Sequence, residues 1–300
     1  MKKKQCVLLI SKNFGFHCLQ IIAKLNHDYV GAVVTINDVH DTRSALSEIV
    51  EYCQVNAFEH HIFSDFESLT LLIERLKPEL IFVAGWYRIL PLEILKKATL
   101  GGIGFHFSLL PKYRGGAPVV WSIINGEKDT GFSLFQLDEG MDAGKIYVQE
   151  RIAIGENDNI VDVLNAVEEK ALNALSSNFV DIIEDRARPW PQTGIPSFAA
   201  QRVPEDGRID WHWSAIRIYN FIRAQSPPYP GAFTLANGHK ISVFKASLPP
   251  EIYYATPGQV VSFSEQGVLV GTGDERVLRI EEIGPQEAWP LLKNMRLRLL

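Results

Sequence analysis

Apolar residues along the chain switch between two periods. Cys6–Ile10 is a continuous apolar run closed by the loop Lys12-Asn13-Phe14-Gly15. Leu19, Ile22 and Leu25 then recur at helical spacing before a second apolar run over residues 30–36. Short runs that are apolar throughout fit strands buried on both faces, and a helix between two of them is the unit of a helix-covered parallel sheet. The alternation continues with helical spacing through Leu46, Ile49, Val50 and Cys53, a helix over Phe66–Leu76 with Asp65 as its cap, and an apolar strand over Leu80–Ala84. Residues 101–106 read as a strand entering a Gly- and Pro-rich loop. Residues 132–137 and 146–152 read as two more strands, and 161–183 as one long amphipathic helix. Residues 1–185 are therefore expected to form a Rossmann-like α/β domain with a mostly parallel sheet.

The pattern breaks next. Pro189, Pro191, Gly194, Pro196 and Pro204 punctuate a stretch with little periodicity, so 186–205 reads as a linker. Beyond it come a short helical pattern through Ile216, Tyr219 and Ile222 and five strand-like runs, at 232–235, 241–244, 258–263, 268–271 and 277–280, with Asn237-Gly238 as a hairpin turn. Five short strands in fewer than a hundred residues predict a small β-barrel-like domain of the OB type over 206–300.

Composition narrows the function. Of 300 residues, 46% are hydrophobic, enough for a buried core and too many for a disordered chain. The net charge of −5 argues against a general binder of the phosphate backbone, so no nucleic-acid partner is expected. Cys6, Cys18 and Cys53 are too few and scattered for a disulfide framework or zinc knuckle, which fits a reducing compartment. The basic start Met1-Lys2-Lys3-Lys4 precedes an apolar run of four residues, too short for a signal peptide or membrane span. A cytoplasmic protein with no membrane segment is expected. His60-His61 reads as a solvated loop pair with no second ligand cluster nearby, so no metal is expected.

The sharpest chemistry lies at 101–145. His106 is followed by Ser108-Leu109-Leu110-Pro111-Lys112-Tyr113-Arg114-Gly115, and later by Met141-Asp142-Ala143-Gly144. His106 ends a strand, where open α/β sheets place ligands, and an imidazole exchanges protons near working pH. Asp142, on a Gly-flanked turn, carries a carboxylate able to orient that imidazole. The His-x-Ser-Leu-Leu-Pro-x-Tyr-Arg-Gly and Met-Asp-x-Gly elements, in this order, resemble the folate-dependent N-formyltransferases. Arg208-Ile209-Asp210-Trp211, Arg223-Ala224 and Tyr229-Pro230-Gly231-Ala232-Phe233 extend the resemblance into a C-terminal domain shared by the tRNA and sugar branches.

The resemblance implies N10-formyltetrahydrofolate as formyl donor and His106 and Asp142 as catalytic residues. It implies that Trp86, Tyr87, Arg88, Ile89 and Leu90 form the donor-binding loop. Where the family carries an Asn two residues before the histidine, this chain has Gly104. Losing one oxyanion donor costs about 10²–10³ in rate. A slower enzyme, a substitute donor such as a water beside Gly104, or a silent binding protein follows from this departure. Where the family's tRNA enzymes carry a basic insertion after the second strand, this chain has the acidic Asn37-Asp38-Val39-His40-Asp41-Thr42-Arg43. The expected acceptor is thus the primary amine of a nucleotide-linked amino sugar, a 4-amino-4,6-dideoxy sugar of surface glycans being the family's habit, and methionyl-tRNA the alternative. Lys12, Asn13, Ser108 and Arg114 are the candidate acceptor-binding residues, the first two and Arg114 for a diphosphate. A homodimer is expected.

Overall fold

The computed structural model describes residues 4–41 and 43–300. Met1, Lys2 and Lys3 of the basic start, and Thr42 of the acidic stretch, lie outside the described residues. The chain forms two compact units. The first takes residues 1–114, 131–152 and 166–198, and the second takes 115–130, 153–165 and 199–300.

The first unit is built on strands β1 (Cys6–Ile10), β2 (Val30–Thr35), β3 (His60–Ile62), β4 (Leu80–Ala84) and β5 (Gly102–His106). All of their pairings are parallel. After the two-residue β6 (Arg114–Gly115), β7 (Asp129–Leu137) joins antiparallel to β5, and β8 (Ile146–Ala153) lies beyond it. The order β3-β2-β1-β4-β5-β7-β8 steps outward in both directions from β1 and β4, which makes their carboxyl ends the switch-point crevice of an open sheet. Every residue of β1 is buried, as its unbroken apolar run requires.

Helices α1 (Lys12–Leu25), α2 (Leu46–Val55), α3 (Phe66–Leu76) and α4 (Leu92–Leu95) connect these strands. Asp65 caps α3 as expected, its Oδ1 accepting the Ser68 N–H at 2.7 Å. Val7, Leu9, Val34, Ile81, Leu69, Leu72 and Ile73 pack into one core between sheet and helices. The His60-His61 pair is not in a loop. It lies on edge strand β3, where Val33 and Val34 pair with it across the ladder. Three residues were too few for a periodic signal.

Helix α5 (Pro118–Ile124) and the first turn of α6 (Ile160–Ile183) belong to the second unit, with α7 (Ala215–Arg223). Past the two-residue β9 (Phe198–Ala199), its sheet uses β10 (Ala232–Ala236), β11 (His239–Ser247), β12 (Val260–Ser264), β13 (Gly267–Gly271) and β14 (Val277–Gly284), all antiparallel, in the order β10-β11-β14-β13-β12. The hairpin turn falls at Asn237-Gly238, with φ of 50° and 84°, the left-handed pair that an Asn-Gly turn supplies. The chain's last residues join the two edges. Leu300 exchanges backbone hydrogen bonds with Leu235 of β10 at 2.8 and 3.0 Å, and Leu297 O accepts from Val260 of β12 at 3.3 Å. A sheet whose outer strands are bridged in this way has no long free edge.

Candidate active site

β5 carries the site. Side chains alternate along a strand, so Gly104 and His106 share one face and Phe105 takes the other, where it meets Phe14, Phe82 and Phe132 edge-on. His106 is 8% exposed. Its Nε2 lies 2.7 Å from Tyr113 O, and since a carbonyl only accepts, Nε2 carries a proton there. Its Nδ1 faces Asp142 Oδ2 at 3.6 Å, beyond hydrogen-bond length, where the two attract as charges when the imidazole is protonated.

That contact depends on a turn. Leu137 of β7 pairs with Gly102, at the opposite end of β5 from His106. The chain beyond Leu137 therefore bends back toward His106, through a turn closed by the Ala143 N–H donating to Gly140 O at 3.3 Å. Asp142 sits at φ +47°, a left-handed conformation that is uncommon outside glycine and tolerated by aspartate. Gly144 makes the turn possible, because a Cβ there would come within 1.9 Å of Gln136 O.

Gly104 faces Val83 and Leu137. A first side-chain carbon there would stand 3.1 Å from Val83 O and 3.5 Å from a Leu137 methyl, so a larger residue requires those neighbours to yield slightly. The 107–113 segment is pinned from below by Ser133. Its Oγ donates to Ser108 O at 2.8 Å and accepts the Leu110 N–H at 3.2 Å, and Gln149 Nε2 donates to both Ser133 Oγ and Leu110 O at 2.9 Å. Ser108 itself is buried, and its hydroxyl donates to Lys112 O at 2.6 Å, so it shapes the loop.

Arg114 reaches the same turn through a residue that sequence reasoning missed. Its Nε and Nη2 donate to Gln192 Oε1 at 3.3 and 2.7 Å. The Gln192 amide nitrogen in turn donates to Asp142 O and Gly144 O at 2.7 and 2.8 Å. Gln192 lies between prolines in the aperiodic stretch after α6, where no pattern marked it.

The loop after β4 begins at Gly85, φ +69°, where a Cβ would approach Ser11 O to 2.1 Å. The Trp86 ring meets Phe63 edge-on at 5.3 Å, and its Nε1 is buried without a partner. A buried orphan donor is costly unless something accepts from it. Tyr87 and Ile89 stand exposed, Arg88 lies over Phe63 at 5.5 Å, and Leu90 packs inward. The loop thus turns Tyr87, Arg88 and Ile89 to solvent and keeps the Trp86 indole N–H buried.

Lys12, a candidate for the acceptor diphosphate, is engaged by carboxylates of this chain. Its Nζ lies 2.7 Å from Asp38 Oδ2, off the hydrogen-bonding axis of that oxygen, and donates to Asp41 Oδ2 at 2.7 Å. Arg43 also binds Asp41, and with burial opposing it and Lys12 adding to it, that bond holds the Asp41 carboxyl well below the usual carboxylate range. Lys12 is thus neutralised already, and Asn13 beside it is exposed. Among the described residues, no group of three or more His, Cys, Asp or Glu is arranged to hold a metal ion, and no helix is long and apolar enough to cross a membrane.

Residues 4–179 match the formyl transferase family model, and residues 202–291 match its C-terminal domain. A methionyl-tRNA formyltransferase of Pelotomaculum thermopropionicum is 34% identical over 278 residues, covering 90% of this chain and 88% of that protein. Two solved structures share the fold. The Helicobacter canadensis N-formyltransferase, in complex with folinic acid and dTDP-3-aminofucose, superposes with a TM-score of 0.71 at 23% identity, covering 93% of this chain and 98% of that one. The sugar 3N-formyl transferase WlaRD, with dTDP and 5-N-formyl-THF, gives 0.70 at 21% identity, covering 94% and 98%. With both family domains matched in order and a relative this similar along nearly its whole length, the chain belongs to the formyl transferase family.

Proposed function

We propose that the protein transfers a formyl group from N10-formyltetrahydrofolate to the primary amine of a nucleotide-linked amino sugar. The observation that carries this reading is the His106–Asp142 pair, with a carboxylate held 3.6 Å from the imidazole by a left-handed turn. The new C–N bond forms at the acceptor amine, and the bond to the donor nitrogen breaks. His106 takes the proton lost by the attacking amine and returns it to the departing nitrogen. Asp142 orients the imidazole and balances its charge when protonated. Loop 86–90, with the exposed Tyr87 ring and Ile89 side chain, receives the flat ring of the donor. Gly104 supplies no side-chain donor to a developing oxyanion, so a water or backbone N–H has that role. Arg114 is the acceptor-anion residue of this reading. Lys12, Asn13 and Ser108 are weaker candidates for it, since Lys12 is already ion-paired and the Ser108 hydroxyl is engaged with Lys112 O. Residues 1–185 are the catalytic domain of this reading, and 206–300 supports a homodimer or the acceptor.

Three observations favour the sugar acceptor. The net charge is −5, the stretch after β2 is acidic, and two structures of the same fold hold dTDP or dTDP-3-aminofucose. The second reading, methionyl-tRNA as acceptor, is favoured by the 34% identity to a methionyl-tRNA formyltransferase. A competition assay separates them. Protein with N10-formyltetrahydrofolate is given dTDP-linked 3-amino and 4-amino sugars together with charged initiator tRNA. Formylated sugar, at a rate insensitive to salt, supports the first reading. Formylated tRNA alone, at a rate falling steeply with salt, replaces it with the second.

A further inference from the structure

Gln192 connects two groups that the proposed chemistry treats separately. Its single amide makes four polar contacts, two as donor and two as acceptor. The donors hold Asp142 O and Gly144 O at 2.7 and 2.8 Å, the two carbonyls of the Asp142 turn, while Oε1 accepts from Arg114 Nε and Nη2. No lone pair or N–H of a primary amide is left over. The turn it grips needs gripping. Asp142 is left-handed at φ +47°, and Gly144 has no room for a side chain. A backbone under such constraint holds one conformation only where its surroundings over-determine it. The contacts to Asp142 O and Gly144 O supply that restraint and fix where the carboxylate stands relative to His106.

We infer that Gln192 is a positioning residue for Asp142, clamping the 142–144 turn so that the carboxylate faces His106 Nδ1, and that it ties this turn to the Arg114 guanidinium. The inference rests on the proposed formyl-transfer reading for its kinetic consequence, not for its structural one. An acceptor phosphate drawn to Arg114 then meets a guanidinium already oriented on the turn that holds the catalytic carboxylate. Acceptor binding and carboxylate alignment share one amide.

Two variants separate the arms of the clamp. Gln192→Glu keeps an acceptor for Arg114 and removes both donors to the turn. Gln192→Leu keeps the bulk and removes every polar contact. Hydrogen–deuterium exchange of the peptide spanning 138–146 reads the turn directly, without any reaction. Both variants are expected to raise exchange there about tenfold, with exchange elsewhere in the first unit unchanged. In turnover with N10-formyltetrahydrofolate and the amino-sugar panel, both are expected to lower kcat by about ten- to a hundredfold at constant KM for the donor. Gln192→Leu should also raise KM for the acceptor. Gln192→Leu added to Asp142→Asn should cost no further kcat, because the two residues act as one unit. Wild-type exchange at 138–146 in Gln192→Glu would overturn the positioning role, as would a full additional loss of kcat in the double variant. Absence of formyl transfer by the wild-type protein would remove the proposed function, and the exchange measurement would still decide the clamp.

Discussion

The first unit holds two clusters of charged side chains near the carboxyl ends of its strands, and they are built in opposite ways. Around Lys12, Asp38, Asp41 and Arg43, opposite charges meet at 2.7 to 2.9 Å and neutralise one another. Around His106, the imidazole and the Asp142 carboxylate stand 3.6 Å apart, on a turn whose backbone is left-handed and whose geometry is held from outside by Gln192. A closed ion network has already given its electrostatic energy to the fold. On the proposed reading, the more widely spaced pair on the constrained turn is the one that moves a proton when a substrate arrives. The first cluster is read as structural and the second as reactive.

The strongest attempt to break this contrast is removal of the reactive pair. His106→Asn and Asp142→Asn are each expected to lower kcat by about 10²–10⁴ while leaving donor binding intact, measured by steady-state turnover and donor titration. Near-normal kcat in both variants would dissolve the distinction. Next in size is the structural cluster. Lys12→Met leaves the buried Asp38 carboxylate without its ammonium, and the loss of one partner of a buried pair costs about 3–5 kcal/mol. Denaturant titration of the variant should show a stability loss toward the lower end of that range, since the Lys12 side chain is partly exposed. A folded, stable Lys12→Met with a raised KM for the acceptor would move Lys12 into the binding machinery.

A smaller effect is expected from Asp41. Its carboxyl is held below the ordinary range in the folded state, by the Arg43 hydrogen bond first. A depressed folded pKa adds stability above the unfolded value, near 4, and that stability is lost as pH falls below it. The thermal midpoint of the wild-type protein should therefore fall more between pH 5 and pH 3 than that of Asp41→Asn, and equal slopes would contradict the closed-network reading. The smallest effect is a control on the fold. Asp65→Ala removes the α3 cap and should lower the denaturant midpoint slightly without changing kcat.

Much of this architecture is legible in the sequence. β1, β4 and α3 fall at their predicted bounds because a wholly apolar run and a capped amphipathic helix are strong local signals. His106 and Asp142 are both legible as motif residues, and the structure brings their side chains together. What was illegible is long-range. β3 is too short to carry a period, and residues 115–130 and 153–165 cluster with the second unit through contacts that no local pattern encodes. Lys12 reads as a diphosphate-binding candidate because Asp38 and Asp41 meet it only once β2 lies beside β1. Gln192 was hidden for the same reason. An amide between two prolines looks like linker until the fold lays it against Asp142, 50 residues away.

The measurement that tests the central claim most directly is formyl transfer by the purified protein, wild type and Asp142→Asn, from N10-formyltetrahydrofolate to a panel of nucleotide-linked 3-amino and 4-amino sugars. Product mass and loss of the primary amine are read together. The account predicts one formyl group on a single member of the panel with the wild-type protein, and a rate at least a hundredfold lower with Asp142→Asn. Donor binding with no formylated sugar from any member, or equal rates from the two proteins, would contradict it.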